Sequence, residues 1–146
     1  MTPSDACIAF IKGFEACRLK AYLPTPHDVP TIGWGSTGPD IHMGMTWTQG
    51  QADTRFAADL TAFAAGVTHD LAGVATTQGQ FDAMVSFAYN VGEAGFHDSN
   101  LLRLHRAGDY PGAEAQFGRW TRQKGVVLAG LVRRRAGEAA MYGGPA

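Results

Sequence analysis

Apolar residues near the start of the chain recur at helical spacing, and they are Cys7, Ile8, Ile11 and Phe14. Residues 2–5, Thr-Pro-Ser-Asp, precede this stripe. They are typical of a helix start, where Thr2 can cap, proline suits the first turn and the acid favours the helix dipole. The pattern therefore predicts an amphipathic helix whose apolar stripe also includes the position of Glu15.

After Glu15 the hydrophobic period changes from helical to alternating. Residues 19–23 alternate between apolar and polar, which predicts a strand. Residues 24–28, Pro-Thr-Pro-His-Asp, form a polar turn. A second strand is predicted over residues 29–34, where Pro30 restricts it to a sheet edge. Together these segments predict a β-hairpin directly after the first helix.

The rest of the chain is patterned for helices. Thr46 or Thr48 can cap an apolar stripe that continues to about Gly66, and Thr76 or Thr77 can cap the next. The predicted segments are a short helix or turn at 69–75, and helices at 78–90, 101–108, 113–120 and 131–142. One hairpin among many helices predicts an α+β, mostly helical fold.

Composition and charge narrow the function classes. A chain of 146 residues predicts a single domain over residues 1–146, and a net charge of −1 implies no nucleic-acid partner. No apolar run predicts a membrane span, and no secretory signal is seen. Cys7 and Cys17 are expected to be free thiols, and the scattered histidines predict neither a metal site nor a cofactor.

Glu15 is the candidate catalytic residue. A carboxyl group on the buried edge of a helix loses water, which disfavours its charged form and raises its pKa. Such a group can serve as a general acid near neutral pH. The alternative is a structural Glu at a helix end, paired with Arg18 or Lys20.

Several motifs in a fixed order resemble the phage-type, T4-lysozyme-like lysozymes and endolysins of glycoside hydrolase family 24. The motifs are FEACRLKAY, TIGWG, QFDAMVSFAYNVGEAGF, SNLLRL, GDYPGAEAQFGRW and GLVRRRAGE. The resemblance implies a lysozyme-like fold with a small N-terminal hairpin lobe, a larger helical lobe and a cleft between them. It also implies hydrolysis of the β-1,4 bond between N-acetylmuramic acid and N-acetylglucosamine in peptidoglycan, causing bacterial lysis. For an endolysin we expect a monomer that accumulates in the host cytoplasm and depends on a holin for access to the wall.

The resemblance also implies site residues. Glu15 matches the family's general acid, and Thr31 matches the Thr that helps to hold the attacking water. The family's Asp lies nine residues after the Glu and six before the Thr, where this chain has Pro24 and Thr25. Asp28 is the carboxylate of the turn and the candidate for the second catalytic group, although it can also be a turn residue bonding its own backbone.

Other positions are open to two interpretations. His27 is a second candidate to hold a water. The resemblance places Tyr89 and Ser99 along the sugar groove, although a core position suits Tyr89 equally well. The basic cluster Arg133–Arg135 is a solvated face by default, but it could contact peptide carboxylates of the wall or pair with Glu138.

Two other functions are open alternatives, and the displaced Asp favours the first of them. Glu15 acting alone as acid and base would give a lytic transglycosylase, which closes a 1,6-anhydro ring. The other alternative is a non-catalytic peptidoglycan-binding module. A buried acid on an apolar stripe argues against this module, since an unused buried acid costs stability.

Overall fold

The first helix leads directly to Glu15. In the computed structural model, which describes residues 1–144, α1 spans Asp5–Phe14. Ser4 is its N-cap, and the Ser4 hydroxyl accepts a hydrogen bond from the Cys7 amide at 3.2 Å, so the predicted Thr2 cap is wrong. Cys7 and Ile11 are fully buried, as the predicted apolar stripe requires, whereas Phe14 at the end of the stripe is 39% exposed.

A β-hairpin follows, as predicted. Strand β1 (Arg18–Tyr22) pairs antiparallel with β2 (Thr31–Gly33), so that Tyr22 lies opposite Thr31. Residues 45–47 dock along the other edge of β1, where the Trp47 amide donates to the Leu19 carbonyl at 2.7 Å. We call residues 18–47 the hairpin lobe; its small core consists of Ala21, Ile32 and Ile41.

The long helix α2 (Gln49–Leu71) follows the hairpin lobe. Thr48 and Gln51 form a capping box at its start, which confirms one of the two predicted caps. The predicted end near Gly66 is five residues too early, because Val67 and Leu71 continue the buried stripe. The helix closes at Ala72, whose φ of 51° is left-handed.

Six further helical or strand segments build the helical lobe, residues 78–142. They are α3 (Gln78–Val91), α4 (Glu93–His97), α5 (Asn100–Arg106), α6 (Tyr110–Gln116) with a 3-10 turn (Phe117–Arg119), the hairpin β3 (Arg122–Gln123) and β4 (Val126–Val127), and α7 (Ala129–Tyr142). Helix α3 is buried over the nine residues from Gln80 to Ala88 and packs against α1, α2 and α7. The α+β, mostly helical class is confirmed. The β3–β4 hairpin was missed because two-residue strands carry no alternating pattern.

The apolar spacing of residues 81–89 predicts that Asp82 faces solvent, and this prediction is wrong. The Asp82 carboxylate is buried and accepts hydrogen bonds from the Ser4 amide at 3.1 Å and from the Gln78 amide group at 2.8 Å. The Ser4 hydroxyl also donates to it, at 2.5 Å. Asp82 therefore anchors the N-terminus of α1 on α3, a contact across 78 positions of sequence that helical periodicity could not indicate.

Both cysteines are free thiols, as predicted. Burial raises the pKa of the Cys7 thiol to about 12, so it stays neutral at physiological pH. Among residues 1–144, no helix is long and apolar enough to cross a membrane.

Two histidines give the stability of the fold opposite dependences on pH. His105 is buried, and its ring nitrogens lie 2.6 Å from the Tyr142 hydroxyl and 2.9 Å from the Thr76 hydroxyl. Burial lowers the pKa of His105. The exposed His97 lies 2.9 Å from Asp70, and this contact raises the pKa of His97.

We expect His105 to lower the free energy of unfolding as the pH falls below about 6.5. The reason is that its ring then binds a proton more readily in the unfolded chain than in the folded one. His97 acts in the opposite sense: its contribution is present below about 6.5 and is lost as the pH rises through its raised pKa. Urea denaturation between pH 5 and 7.5 is the measurement. His105→Gln should flatten the acid loss and His97→Gln should steepen it; equal slopes in both variants would contradict the assignment.

Candidate active site

Glu15 lies where the chain changes from helix to strand. It is the C-cap of α1, with extended backbone angles (φ −92°, ψ 120°), and its amide donates to the Ile11 carbonyl at 2.9 Å. Its side chain is 22% exposed, so the carboxyl group is partly shielded and yet open to a ligand. The end of α1 thus presents one carboxylate at the surface where the hairpin lobe begins.

Arg134 is the partner of Glu15. Its Nη1 atom donates to Glu15 Oε1 at 2.8 Å, across 119 positions of sequence. The predicted alternative partners differ: Arg18 stacks on the Tyr22 ring at 4.4 Å, and Lys20 is exposed on β1. The alternative of a pair with Arg18 or Lys20 is therefore wrong, and a buried guanidinium from α7 contacts the Glu15 carboxyl group instead.

Gly35 allows the hairpin lobe to approach Glu15. Its φ of +95° is left-handed, and a Cβ atom at this position would lie 3.1 Å from Glu15 Oε2. A side chain here would therefore be both strained and crowded. The absence of a side chain at Gly35 therefore permits the hairpin lobe to lie against the Glu15 carboxyl group.

Two contacts hold this loop in place. The Tyr89 hydroxyl of α3 donates to the Trp34 carbonyl at 2.6 Å, and the Ser36 hydroxyl donates to Asp59 of α2 at 2.6 Å. Arg55 binds the same Asp59 at 2.8 Å and also Asp40 at 2.7 Å. The Arg55 guanidinium lowers the pKa of Asp40 by hydrogen bonding. The hairpin lobe is thus attached to α2 and α3 on both sides of Gly35.

Arg134 is itself held in a buried polar network. Its Nε atom lies 3.3 Å from Glu138 Oε2, and its Nη2 atom donates to the Ser86 carbonyl at 3.2 Å. The Ser86 hydroxyl donates to the same Glu138 oxygen at 2.6 Å. Glu138 is fully buried, and burial raises its pKa, an effect that the nearby arginines oppose.

Arg135 completes the network. Its Nε atom lies 3.2 Å from Glu138 Oε1, its guanidinium donates to Asn90, and it lies over the Phe87 ring at 5.0 Å. Burial lowers the pKa of Arg135. The default interpretation of the basic cluster as a solvated face is therefore wrong for Arg134 and Arg135, whereas pairing with Glu138 is confirmed. Arg133 alone of the three is exposed.

A cleft of about 490 Å³ opens beside Glu15. It is lined by the end of α1 (Gly13, Phe14, Glu15), by Asn90 of α3, and by Leu128, Gly130, Leu131, Arg133 and Arg134 at the start of α7. A larger, apolar groove of about 780 Å³ lies between α1 and α2, but Glu15 does not line it. The smaller cleft is the candidate active site because its lining combines an acid, two cations and apolar side chains.

Asp28 and Thr31 are not among the residues that line this cleft. Asp28 is exposed in the turn, where its Oδ2 atom accepts a hydrogen bond from the Thr25 hydroxyl at 3.1 Å. Thr31 is 6% exposed, and its hydroxyl donates to the Val29 carbonyl at 3.1 Å. His27 is exposed in the same turn. The roles of these residues around a bound substrate stay predictions.

The two predicted sugar-binding residues have structural contacts of their own. Tyr89 packs against Phe56 and Phe63, with ring centroids 5.7 and 5.2 Å apart, and burial raises its pKa. Ser99 is buried as the N-cap of α5, where its hydroxyl accepts from the Leu102 amide at 3.1 Å. Contact of either residue with a sugar stays a prediction.

Sequence reasoning missed the part of the network that crosses between helices. The spacing of Arg134, Arg135 and Glu138 permits ion pairs within α7, since residues three and four apart are neighbours on a helix. The contacts with Glu15 and Ser86 join residues 119 and 48 positions apart, and no local pattern indicates them.

Comparison with known proteins gives a consistent result. A sequence model of the family described as phage lysozyme matches residues 12–138. The endolysin of Bacillus phage PZA is 44% identical over 97% of this chain, and the chain spans only 55% of that protein's length. The chain thus covers about half the length of this endolysin and of a second curated relative, the endolysin of Bacillus phage B103.

Two solved structures align over nearly all of the chain. The endolysin from Escherichia coli O157:H7 phage FAHEc1 is 37% identical, with a TM-score of 0.83 over 97% of this chain and 93% of that one. The muramidase domain of SpmX from Asticaccaulis excentricus is 35% identical, with a TM-score of 0.85 over 97% of each chain.

Proposed function

The chain belongs to the phage lysozyme family, and from this membership we propose that it is a muramidase that lyses bacteria as an endolysin. Its substrate would be peptidoglycan, in which it hydrolyses the β-1,4 bond between N-acetylmuramic acid and N-acetylglucosamine. The observation that carries the proposal is the Glu15 carboxyl group, held at the edge of the cleft by the 2.8 Å contact with Arg134.

Glu15 acts as the general acid. It protonates the glycosidic oxygen as the bond breaks and positive charge grows on the sugar. The Arg134 guanidinium then stabilises the carboxylate that remains after proton transfer. Gly35 leaves the other side of the carboxyl group free, because a side chain at this position would crowd the Oε2 atom.

A second group holds the water that attacks from the opposite face of the sugar. Inversion requires two carboxyl groups about 6.5–9.5 Å apart, whereas about 5–5.5 Å suits retention. We assign this second role to Asp28, with Thr31 orienting the water, because Asp28 is the carboxylate of the turn between β1 and β2. Tyr89 and Ser99 are assigned to the sugar groove, and the exposed Arg133 suits the carboxylates of wall peptides.

A lytic transglycosylase is the second candidate, and one observation favours it. Pro24 occupies the position at which the family has its Asp, and Asp28 is engaged by Thr25 within the turn. Glu15 would then act first as acid and afterwards as base, closing a 1,6-anhydro ring on the muramic acid.

Mass spectrometry of the released muropeptides decides between these reactions. Hydrolysis adds one water to each product, and we expect that heavier product from the wild-type chain. Asp28→Asn should then lower its yield strongly, while Thr25→Ala, which frees Asp28 without removing it, should not. Anhydro products that are insensitive to Asp28→Asn would establish the transglycosylase. Wall binding without any cleavage would contradict both reactions and leave a non-catalytic module.

The cellular setting is part of the proposal. Residues 1–146 would form one catalytic domain that acts as a monomer on glycan strands. The protein would accumulate in the host cytoplasm and reach the wall through the action of a holin. The net charge of −1 gives the protein little electrostatic attraction to an anionic wall, so recognition would depend on contacts in the cleft.

A further inference from the structure

We propose that Glu138 is a positioning residue for the acid: acting through Arg134, it fixes the orientation of the Glu15 carboxyl group and balances the charge that Glu15 experiences. Glu138 is fully buried on the inner side of α7, and it is not among the residues that line the cleft beside Glu15. This inference rests on the proposed function, in which Glu15 donates a proton.

The geometry of Arg134 supports the positioning role. A guanidinium group is planar and rigid, so fixing two of its nitrogens fixes the third. Nε faces Glu138 at 3.3 Å and Nη2 donates to the Ser86 carbonyl at 3.2 Å. Nη1 is thereby directed at Glu15, which it contacts at 2.8 Å. Without Glu138, the Nε atom would lose its partner, and the Ser86 carbonyl alone would hold the inner side of the guanidinium.

The charges of the network are balanced. Glu15 and Glu138 are matched by Arg134 and Arg135, joined in a chain by contacts of 2.8, 3.3 and 3.2 Å. The three inner members are almost completely buried, where charges interact more strongly than in water. Burying an unmatched charge is costly, so each member depends on the others.

Few other titratable groups face this network. Cys7 of α1 and Tyr89 of α3 have pKa values raised by burial, so both stay neutral near pH 7. Asp82 of α3 interacts electrostatically with Cys7 and is bonded to Ser4. Ser86 and Asn90, also on α3, contribute hydrogen bonds without charge. Changes at Glu138 or Arg135 therefore alter the charge near Glu15, while Cys7 and Tyr89 contribute no charge near pH 7.

Two substitutions should have opposite effects. Glu138→Gln removes a negative charge behind Arg134, which favours the deprotonated form of Glu15, so the alkaline limb of the activity profile should move to lower pH. Arg135→Met removes a positive charge, so this limb should move to higher pH. We expect each shift to be about 0.5–1 pH unit, below the 1–3 of a direct contact. The double variant restores the balance and should return the limb towards its wild-type position.

The experiment measures the rate of muropeptide release at saturating peptidoglycan against pH, below the unfolding temperature of every variant. Asp98→Asn and Arg106→Gln are charge-matched surface controls that should leave the limb unchanged. If Glu138 had a purely structural role, Glu138→Gln would lower stability without moving the alkaline limb. The proposal is overturned if the limbs of Glu138→Gln and Arg135→Met do not move, or if they move in the same direction.

Further variants apply if Glu138→Gln does not fold. Glu138→Asp keeps the charge but shortens the reach, and Ser86→Ala loosens Glu138 without changing any charge. Both should lower kcat with little change in KM and leave the limb in place; unchanged kcat in both would refute the positioning role. If the wild-type chain releases no muropeptide, the proposed function itself fails. An active wild type whose variants lack these effects refutes only the role of Glu138.

Discussion

Glu15→Gln is expected to lower the rate of peptidoglycan cleavage by about 10²–10⁴-fold, the usual contribution of a general acid. The amide has the shape of the carboxyl group but cannot protonate the glycosidic oxygen. Its oxygen can still accept the hydrogen bond from Arg134, which Glu138 and Ser86 continue to hold. The fold should therefore survive, and the measurement is the turnover of purified cell walls beside the circular dichroism spectrum.

Glu93→Gln is the matched control for this substitution. Glu93 is exposed in the first turn of α4 and does not line the cleft beside Glu15, so its variant should keep wild-type turnover. A soluble, folded Glu15→Gln variant with near-native turnover would remove the assignment of the acid. Loss of activity in both variants would indicate instead that the assay responds to the overall charge of the protein.

Arg134→Ala is expected to destabilise the fold by about 3–5 kcal/mol, because it leaves Glu138 buried with one cation fewer. It should also reduce turnover at temperatures where the variant is folded, because Glu15 loses its only ion-pair partner among the described residues. Urea denaturation gives the first quantity, and wall turnover in the folded range gives the second.

The neighbouring arginine provides the control for stability. Arg133 precedes Arg134 on α7, but it is exposed and no ion pair holds it in the described structure. Arg133→Ala should therefore change the free energy of unfolding by no more than about 0.5 kcal/mol. Arg134→Lys keeps the charge but cannot reproduce three directed contacts, and we expect it to recover only part of the stability. Equal costs for both Ala variants would contradict the buried network.

The sequence predicted the first helix, the helix caps and the hairpin well, because each depends on residues within one or two helical turns of one another. The stripe before Glu15, the caps at Thr48 and Thr77 and the hairpin at residues 18–33 depend on neighbours along the chain. The same kind of signal failed at the end of α2, where Gly66 suggested a stop. Burial of Val67 and Leu71 against the core outweighs the cost of one glycine in the helix.

The resemblance of the ordered motifs to a known family predicted more than the hydrophobic periodicity did. It indicated the family and the position of Glu15, and it also exposed the departure at Pro24, where an Asp was expected. It did not indicate what surrounds these residues. Asp28 bonds Thr25 in an exposed turn, and the hydroxyls of Thr31 and Ser99 have partners within the protein. Contacts of this kind depend on how a loop closes, which a one-residue change in loop length can alter.

Only the tertiary structure decided which charges meet. Three consecutive arginines are equivalent in sequence, yet the packing of α7 on α3 buries Arg134 and Arg135 and leaves Arg133 in solvent. The reason is physical: helical periodicity records which face is apolar, whereas the partner of a buried charge depends on elements that meet from distant parts of the chain. The sequence by itself therefore determined the fold class and indicated Glu15 as the candidate acid, and only the folded chain showed that the Arg134 guanidinium lies beside it.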